Sequence, residues 1–304
     1  MTRDLYDRSL DLRCQSQTEA VRYCRRLAGG HYENFTVVLP GLSEDVSRDL
    51  EAIYAYCRWA DDLADEIEDP RESVEKMERF QSMLERVYNG EMIQHPVFRA
   101  LSGSIRRNDL PKNPFLDLLS AFKQDRRQTR YETFEDLVDY CQRSANPVGR
   151  LFLKCFDVST ERNRYFSDKT CTALQLTNFW ADVPIDEAKN RIYIPGEDME
   201  RFGVTEEIIR DREFTPAFQK LMAYEVERTR DWFRVGWQLV EQLSGPIALA
   251  IELFNAGGWT VLDTIEEHHY NVFQQRWTLD DQDKYWIGLR GLWRWAAGSS
   301  VPPS

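Results

Sequence analysis

Two short stretches far apart in the chain repeat side-chain oxygens at steps of four. They are Asp61 and Asp65 in Asp61-Asp62-Leu63-Ala64-Asp65, and Asn178, Asp182 and Asp186 in the run from Asn178 to Asp186. Both lie in helix-like sequence, where a four-residue step keeps side chains on one face, so each stretch points a row of oxygens in one direction. If the two rows face each other they form a cage of hard anionic ligands. Such a cage suits Mg²⁺, which takes oxygen ligands and shares them with the phosphates of a substrate.

Helix punctuation runs the length of the chain. Ser43 before Glu44-Asp45-Val46, Asp69-Pro70, Asn113-Pro114, Thr215-Pro216 and Thr278 before Leu279-Asp280-Asp281 each join a cap residue to Pro or an acid, and each predicts a helix start. Apolar residues recur at steps of three and four, as in Val74, Met77, Phe80, Leu84 and Val87, and in Phe218, Met222, Val226, Trp232 and Val235. Strand-like runs are scarce, Thr36-Val37-Val38-Leu39 being too short to seed a sheet. The chain reads as all-α. No repeat of solenoid period and no Gly/Ser- or Pro-rich linker divides it, so residues 1–304 read as one helical-bundle domain.

Charge and cysteine usage narrow the function. A formal net charge of -12, with no Lys/Arg-rich block, leaves no field to hold a nucleic acid. The cysteines, at 14, 24, 57, 141, 155 and 171, make no Cys-x-x-Cys pair and read as reduced core thiols. His31, His95, His268 and His269 have no zinc-ligand spacing with them. The charged opening MTRDLYDRSLDLR has no signal-peptide pattern and no apolar stretch is long enough to span a membrane, which points to the cytoplasm. No nucleotide-binding glycine fingerprint is present, and Gly257-Gly258 reads as a place of close helix packing or a kink.

The first acidic row also has a plainer reading. Glu66, Glu68 and Asp69 follow the first row and Arg58 stands four residues before Asp62, as in a solvated acidic helix end with a surface ion pair. Acids at a helix C-terminus oppose the macrodipole, however, so a compensating cation is expected there. In the second row Pro184 removes a backbone hydrogen bond and crowds the carbonyl of Trp180, which predicts a kink or terminus and makes Asp186 the least securely placed member.

Tyr54-Ala55-Tyr56-Cys57-Arg58 leading into Asp61-Asp62-x-x-Asp65, with Gln175-Leu176-Thr177-Asn178 leading into Asp182-Val183-x-x-Asp186 and Arg191-x-Tyr193-x-Pro195, resembles the squalene and phytoene synthase family. The resemblance spans most of the chain. It implies the isoprenoid-synthase helical bundle with a central cavity, and an isoprenoid diphosphate as substrate. Mg²⁺ would be held by Asp61, Asp65, Asn178 and Asp182, with Asp186 in the second motif. Diphosphate would be held by His31, Tyr32, Glu33, Asn34, Tyr54 and Arg58. Tyr140, Gln175 and Tyr270 match positions that line the prenyl channel or contact the diphosphate, and Arg191 and Tyr193 join the substrate-binding set.

Two departures from the family pattern bear on the reaction. Many members carry Arg immediately before the second Asp-Val, where this chain has Ala181. Where two-substrate members typically read Ala-Gly-Thr-Val-Gly, this chain reads Ala145-Asn146-Pro147-Val148-Gly149. With His31-Tyr32-Glu33-Asn34-Phe35 and Thr177-Asn178-Phe179-Trp180, that segment resembles bacterial hydroxysqualene synthases of squalene and hopanoid formation. Such enzymes ionise presqualene diphosphate and let water capture the rearranged cation, with no NADPH. Phe35, Tyr54, Tyr140, Phe179 and Trp180 are candidates to face that cation, and equally candidates for ordinary core packing.

The alternatives are head-to-head condensation to presqualene diphosphate, dehydrosqualene or phytoene, and a non-catalytic helical assembly factor. The upstream presqualene diphosphate synthase is a candidate partner. In the C-terminal stretch Trp286, Leu289 and Trp293 share a face beside Arg290 and Arg294. That pattern fits both a packed terminal helix and transient contact with the inner face of the membrane.

Overall fold

The computed structural model describes residues 9–29 and 41–279, together with Asp283 and Ile287. Among them are fourteen α-helices. In chain order these are α1 (Gln17–Gly29), α2 (Glu44–Asp65), α3 (Pro70–Tyr88), α4 (Pro96–Asn108), α5 (Asn113–Asp125), α6 (Phe134–Ser144) and α7 (Asn146–Cys155). There follow α8 (Glu161–Ala181), α9 (Val183–Ala188), α10 (Gly196–Phe202), α11 (Glu206–Arg210), α12 (Pro216–Gly236), α13 (Gln238–Gln242) and α14 (Pro246–Glu267). The described residues contain no strand, and their isolated β-type pairing is a parallel bridge of Arg130 with Ile192. The all-α reading holds.

Cap chemistry sets the helix starts. Ser43 accepts from the Val46 amide at 3.3 Å, Asp69 from Arg71 at 2.8 Å and Thr215 from Phe218 at 3.1 Å, each satisfying a donor that the first turn leaves open. Asn113 is displaced by one from its expected role: Lys112 holds the cap position and Asn113-Pro114 opens α5. Leu279 is not helical, and Asp280 and Asp281 lie outside the described residues.

The described residues divide into two compact units, one of residues up to 127 together with 147–159, the other of 128–146 and those from 160 onward. In the first, α2 packs against α1, α3, α4 and α5. Tyr56, Trp59, Phe80, Phe98 and Phe115 are fully buried around it, and the Tyr56 hydroxyl donates to the Phe115 carbonyl at 3.0 Å, so the polar tip is satisfied where the ring is sealed. His95 is buried edge-on to Trp59, with ring centroids 4.7 Å apart, and burial pushes it down to about 4, so it stays neutral as part of the core.

In the second unit α8 and α12 form the closest pair, with α14 against both, α6 on α8 and α10 on α12. Small residues permit these approaches. A Cβ on Gly236 would run into Thr170, and one on Gly258 would run into Phe233 and Leu174, so the glycine pair read as a packing device is one at Gly258. The α12 stripe is also refined, because Phe233 is the buried member of its turn while Trp232 is only half-buried, under the Lys169 ammonium at 3.8 Å. Cys14, Cys24, Cys141 and Cys155 are buried and all six thiols are free, as expected of core cysteines.

One buried cluster carries charge. Glu225, fully buried on α12, accepts from Arg228 at 2.5 Å, and the same guanidinium reaches Asp198 at 2.8 Å and lies over the Phe134 ring at 3.5 Å. Two carboxylates share one cation here. Burial, reinforced by Asp198 and opposed by Arg228, pushes Glu225 up to about 8.

The folded chain therefore keeps a proton on Glu225 that the unfolded chain gives up, and this stabilisation is full below the ordinary carboxylate range and is lost as pH rises toward 8. Urea midpoints measured from pH 5 to pH 8 will fall for the parent protein, and Glu225→Gln will flatten that fall. Gly258→Ala will lower stability by about 1–3 kcal/mol in urea titration, since overpacking against Phe233 outweighs the helix-propensity gain of ~1 kcal/mol.

Candidate active site

In the first unit the site residues share one face of α2. Tyr54, Arg58, Asp61 and Asp65 follow at steps of four, three and four, and all are at least partly open to solvent while Ile53, Tyr56, Trp59, Ala60 and Leu63 turn into the core. Burial of its ring raises the Tyr54 hydroxyl to about 12, so it acts as a neutral hydrogen-bonding group.

Arg58 is held between two acids, with Nη2 at 2.7 Å from Asp62 and Nη1 at 3.6 Å from Asp61. Asp62 is 4% exposed, and Asp61 is nearly half open. The four-residue pair with Asp62 is thus more than a surface contact: the buried carboxylate orients the guanidinium alongside Asp61. Just past the helix, Arg126 donates to the Ile67 and Glu68 carbonyls at 3.0 and 3.1 Å.

In the second unit Gln175, Asn178 and Asp182 are partly open positions on α8, while Trp180 is a core residue whose indole N–H donates to Thr229 at 2.8 Å. Pro184 ends the helix as its chemistry requires. Asp182 caps α8, and α9 begins at Val183 with the proline in its first turn. The Asp182 amide still bonds to Asn178 at 2.9 Å and the Asp186 amide to Asp182 at 2.8 Å, so the row bends at Asp182 without losing its backbone continuity.

Asp186 instead lines a small depression, with room for little more than a water, together with Arg191, Phe179, Val183 and Tyr193. Its wall is aromatic: Phe179 stacks on Tyr193 with centroids 3.8 Å apart, and Tyr140 lies 6.2 and 5.9 Å from them. Tyr131 joins the cluster 5.5 Å from Tyr140. The segment carrying Arg191 and Tyr193 is fixed by the Ile192 amide on the Thr129 carbonyl and the Gly196 amide on the Tyr131 carbonyl, both at 2.9 Å. Tyr270 sits after α14 with its hydroxyl on Glu266 at 3.0 Å, and Arg230 holds the same Glu266 at 2.5 Å.

Asp182 carries the arrangement that periodicity did not indicate. Arg276 forks onto it, Nε to Oδ1 at 2.6 Å and Nη2 to Oδ2 at 2.9 Å. Arg126, Tyr131 and Arg276 belong to no recognisable spacing in the sequence, whereas Asp62 was visible through its four-residue step from Arg58. His31, Tyr32, Glu33, Asn34 and Phe35 lie outside the described residues, as do Trp286, Leu289, Arg290, Trp293 and Arg294.

Among the described residues no three His, Cys, Asp or Glu side chains converge as a ready metal cluster. Mg²⁺ commonly takes one or two carboxylates and completes its shell with water and phosphate oxygens, and the donor chemistry of each row fits that demand. None of the helices among the described residues is long and apolar enough to cross a membrane.

A family model described as squalene/phytoene synthase matches residues 28–282. The solved structure of a squalene synthase, HpnC, from Alicyclobacillus acidocaldarius is 38% identical and superposes with a TM-score of 0.79 over 84% of this chain and 96% of that one. A 15-cis-phytoene synthase of Synechococcus elongatus is 28% identical over 277 residues, 86% of this chain and 88% of its own length. A dehydrosqualene synthase solved with a ligand reaches a TM-score of 0.83 over 92% of this chain and 98% of that chain, at 22% identity, and speaks to the fold.

On the expectation that Arg58 holds diphosphate, Asp62→Asn, which removes its buried partner, will raise the KM for a prenyl diphosphate by about tenfold with a smaller change in kcat. Asp45→Asn, which removes the partner of Arg48 in an exposed pair on the same helix, will change neither constant.

Proposed function

The chain belongs to the squalene/phytoene synthase family, and on that premise we propose that it converts presqualene diphosphate and water into hydroxysqualene and diphosphate. The observation that carries this reading is the pair of oxygen rows, each beside an oriented guanidinium: Asp61 and Asp65 with Arg58, and Asn178 and Asp182 with Arg276. Diphosphate departure needs cationic groups that meet charge as it develops.

In this reading Asp61, Asp65, Asn178 and Asp182 hold Mg²⁺, with Asp186 adjoining, and the metal when bound neutralises the leaving diphosphate. Arg58 forks onto phosphate oxygens while Asp62 keeps its orientation, and Tyr54 donates from its neutral hydroxyl. His31, Tyr32, Glu33 and Asn34 complete the diphosphate contacts. The carbon–oxygen bond breaks with its electron pair going to diphosphate, water adds to the rearranged cation, and the proton leaves to solvent. No electrons are exchanged, so no reductant such as NADPH is required.

Tyr140, Phe179 and Tyr193 offer aromatic faces to positive charge and keep water scarce. Gln175, Arg191 and Tyr270 belong to the same binding set. We assign residues 1–304 to one functional domain acting in the cytoplasm, at the inner face of the membrane that stores its lipid substrate and product. The upstream presqualene diphosphate synthase is the partner that this substrate implies.

The choice of hydroxysqualene is supported by Ala181, by Asn146-Pro147, and by 38% identity to a protein named for squalene formation. Asn146 is buried and accepts from Thr172 of α8 at 3.0 Å. Its departure from the family pattern is therefore built into the packing. A second reading, head-to-head condensation of two prenyl diphosphates, is favoured by the similarity to 15-cis-phytoene synthase.

Incubation with presqualene diphosphate and Mg²⁺ will give hydroxysqualene by product mass, at the same rate with and without NADPH. Farnesyl and geranylgeranyl diphosphate will stay unconsumed. Consumption of either one to a head-to-head product moves the assignment to the second reading.

A further inference from the structure

Arg228 of α12 stands at the junction of the two elements that frame the aromatic wall. Tyr131 precedes α6 and Tyr140 lies within it, while Tyr193 shortly precedes α10. Between these elements the chain is zipped side by side: the Ile192, Gly196 and Glu197 amides donate to the Thr129, Tyr131 and Glu132 carbonyls, each at 2.9 Å. The Phe134 amide, at the start of α6, donates to Glu197 Oε1 of α10 at 2.7 Å. These bonds set the register of the two stretches, and Arg228 sets their place against α12.

The Arg228 Nη2 donates to Asp198 of α10 at 2.8 Å and to Glu225 of its own helix at 2.5 Å. Its guanidinium also lies 3.5 Å from the centre of the Phe134 ring. Arg228 is 16% exposed, and Asp198 and Glu225 are 5% and 0% exposed, so the cluster is no landing point for an external anion. A buried ion cluster is weak evidence for stability, and its best-attested use is to specify one arrangement. Here the arrangement is directional, since the planar fork fixes the approach of α10 and the ring face fixes that of α6. Five residues before Asp198, Tyr193 stacks on Phe179 with centroids 3.8 Å apart, a contact that a small shift of the stretch would break.

We propose that Arg228 is a positioning residue for this site. By holding the starts of α6 and α10 at one spacing, it fixes the Tyr140 and Tyr193 rings of the wall. The proposal rests on the reading above, in which those rings face the cation. Arg228 lies outside both oxygen rows and acts only through the wall.

Kinetics and product analysis of the full chain, with whichever prenyl diphosphate it consumes, test this beside hydrogen exchange read by mass spectrometry. Arg228→Met, and Phe134→Leu, which removes the ring face and leaves both ion pairs, will lower kcat by about tenfold with a smaller change in KM. Both will also raise the share of side products, because the displaced wall faces the cation formed after ionisation. Arg228→Lys, which keeps the charge without the planar fork, will fall between. Arg234→Gln, in exposed ion pairs of the same helix, will change neither rate nor products. In Arg228→Met and Phe134→Leu the stretches 129–134 and 191–197 will exchange about fivefold faster while α8 keeps the protection of the parent, which separates local loosening from lost folding.

An unchanged kcat and product ratio in both variants overturns the positioning role, as does a slowed reaction with exchange unchanged in both stretches or faster throughout α8. Phe134→Leu decides by itself where Arg228→Met does not fold. A parent chain that consumes no prenyl diphosphate overturns the reading and this proposal together.

Discussion

Acids at the C-terminal ends of α2 and α8 sit where each helix already presents its negative pole, and the structure holds them there by placing a guanidinium against each. Uncompensated, those carboxylates would fray the helix ends or draw in protons. Arg58 meets Asp62 from within α2 and Arg126 takes the carbonyls beyond it, while Arg276 comes to Asp182 from another segment. Each acidic row therefore includes a carboxylate already engaged by a guanidinium, Asp62 by Arg58 and Asp182 by Arg276.

The packing behind the rows gives that balance a rigid frame. Tyr56 and Phe115 lock α2 to α5, and the Ser73 hydroxyl donates to the Leu63 carbonyl at 2.7 Å, so the last turn of α2 is tied to α3 where Asp62 and Asp65 emerge. In the second unit, Gly236 and Gly258 let α8, α12 and α14 approach closely, and Trp180 binds α8 to α12 through Thr229 two residues before Asp182. Groups that must keep an orientation to within a fraction of an ångström are better placed on such helices than on loops. Both rows begin at helix residues tied into the core.

What the sequence made legible follows from how local each signal is. Period-3.6 patterning revealed the all-α fold, and Ser43, Asp69 and Thr215 located their helices because a cap acts within one turn. Pro184 foretold the break at Asp182 for the same reason. The Arg58–Asp62 pair could be read from its spacing, but not the burial that makes Asp62 an orienting group, since burial depends on what α3, α4 and α5 bring to that face. Arg276 and Asp182 stand 94 residues apart with no periodic relation, and an ion pair of that kind is fixed only when the chain reversal at His269 and Tyr270 is in place. Asn113 missed its cap by one residue, since α5 starts one position earlier, at a Lys112 that makes no side-chain cap hydrogen bond.

The exchange of a neighbouring Arg for Ala181 changes where the charge is anchored more than how much charge there is. Position 181 is buried in the last turn of α8, so a guanidinium rooted there would move with the helix that carries Asp182 and would hold a constant relation to it. Arg276 is rooted in a separate reversal that packs on Phe218 and His268, and its distance to Asp182 depends on side-chain rotation. A cation that can leave its carboxylate is suited to a single leaving group that comes and goes. A cation fixed in the helix suits a site that must present a permanent positive contact to a second diphosphate. On that argument the charge that Asp182 meets in this chain is set by the reversal that carries Arg276 and not by the last turn of α8.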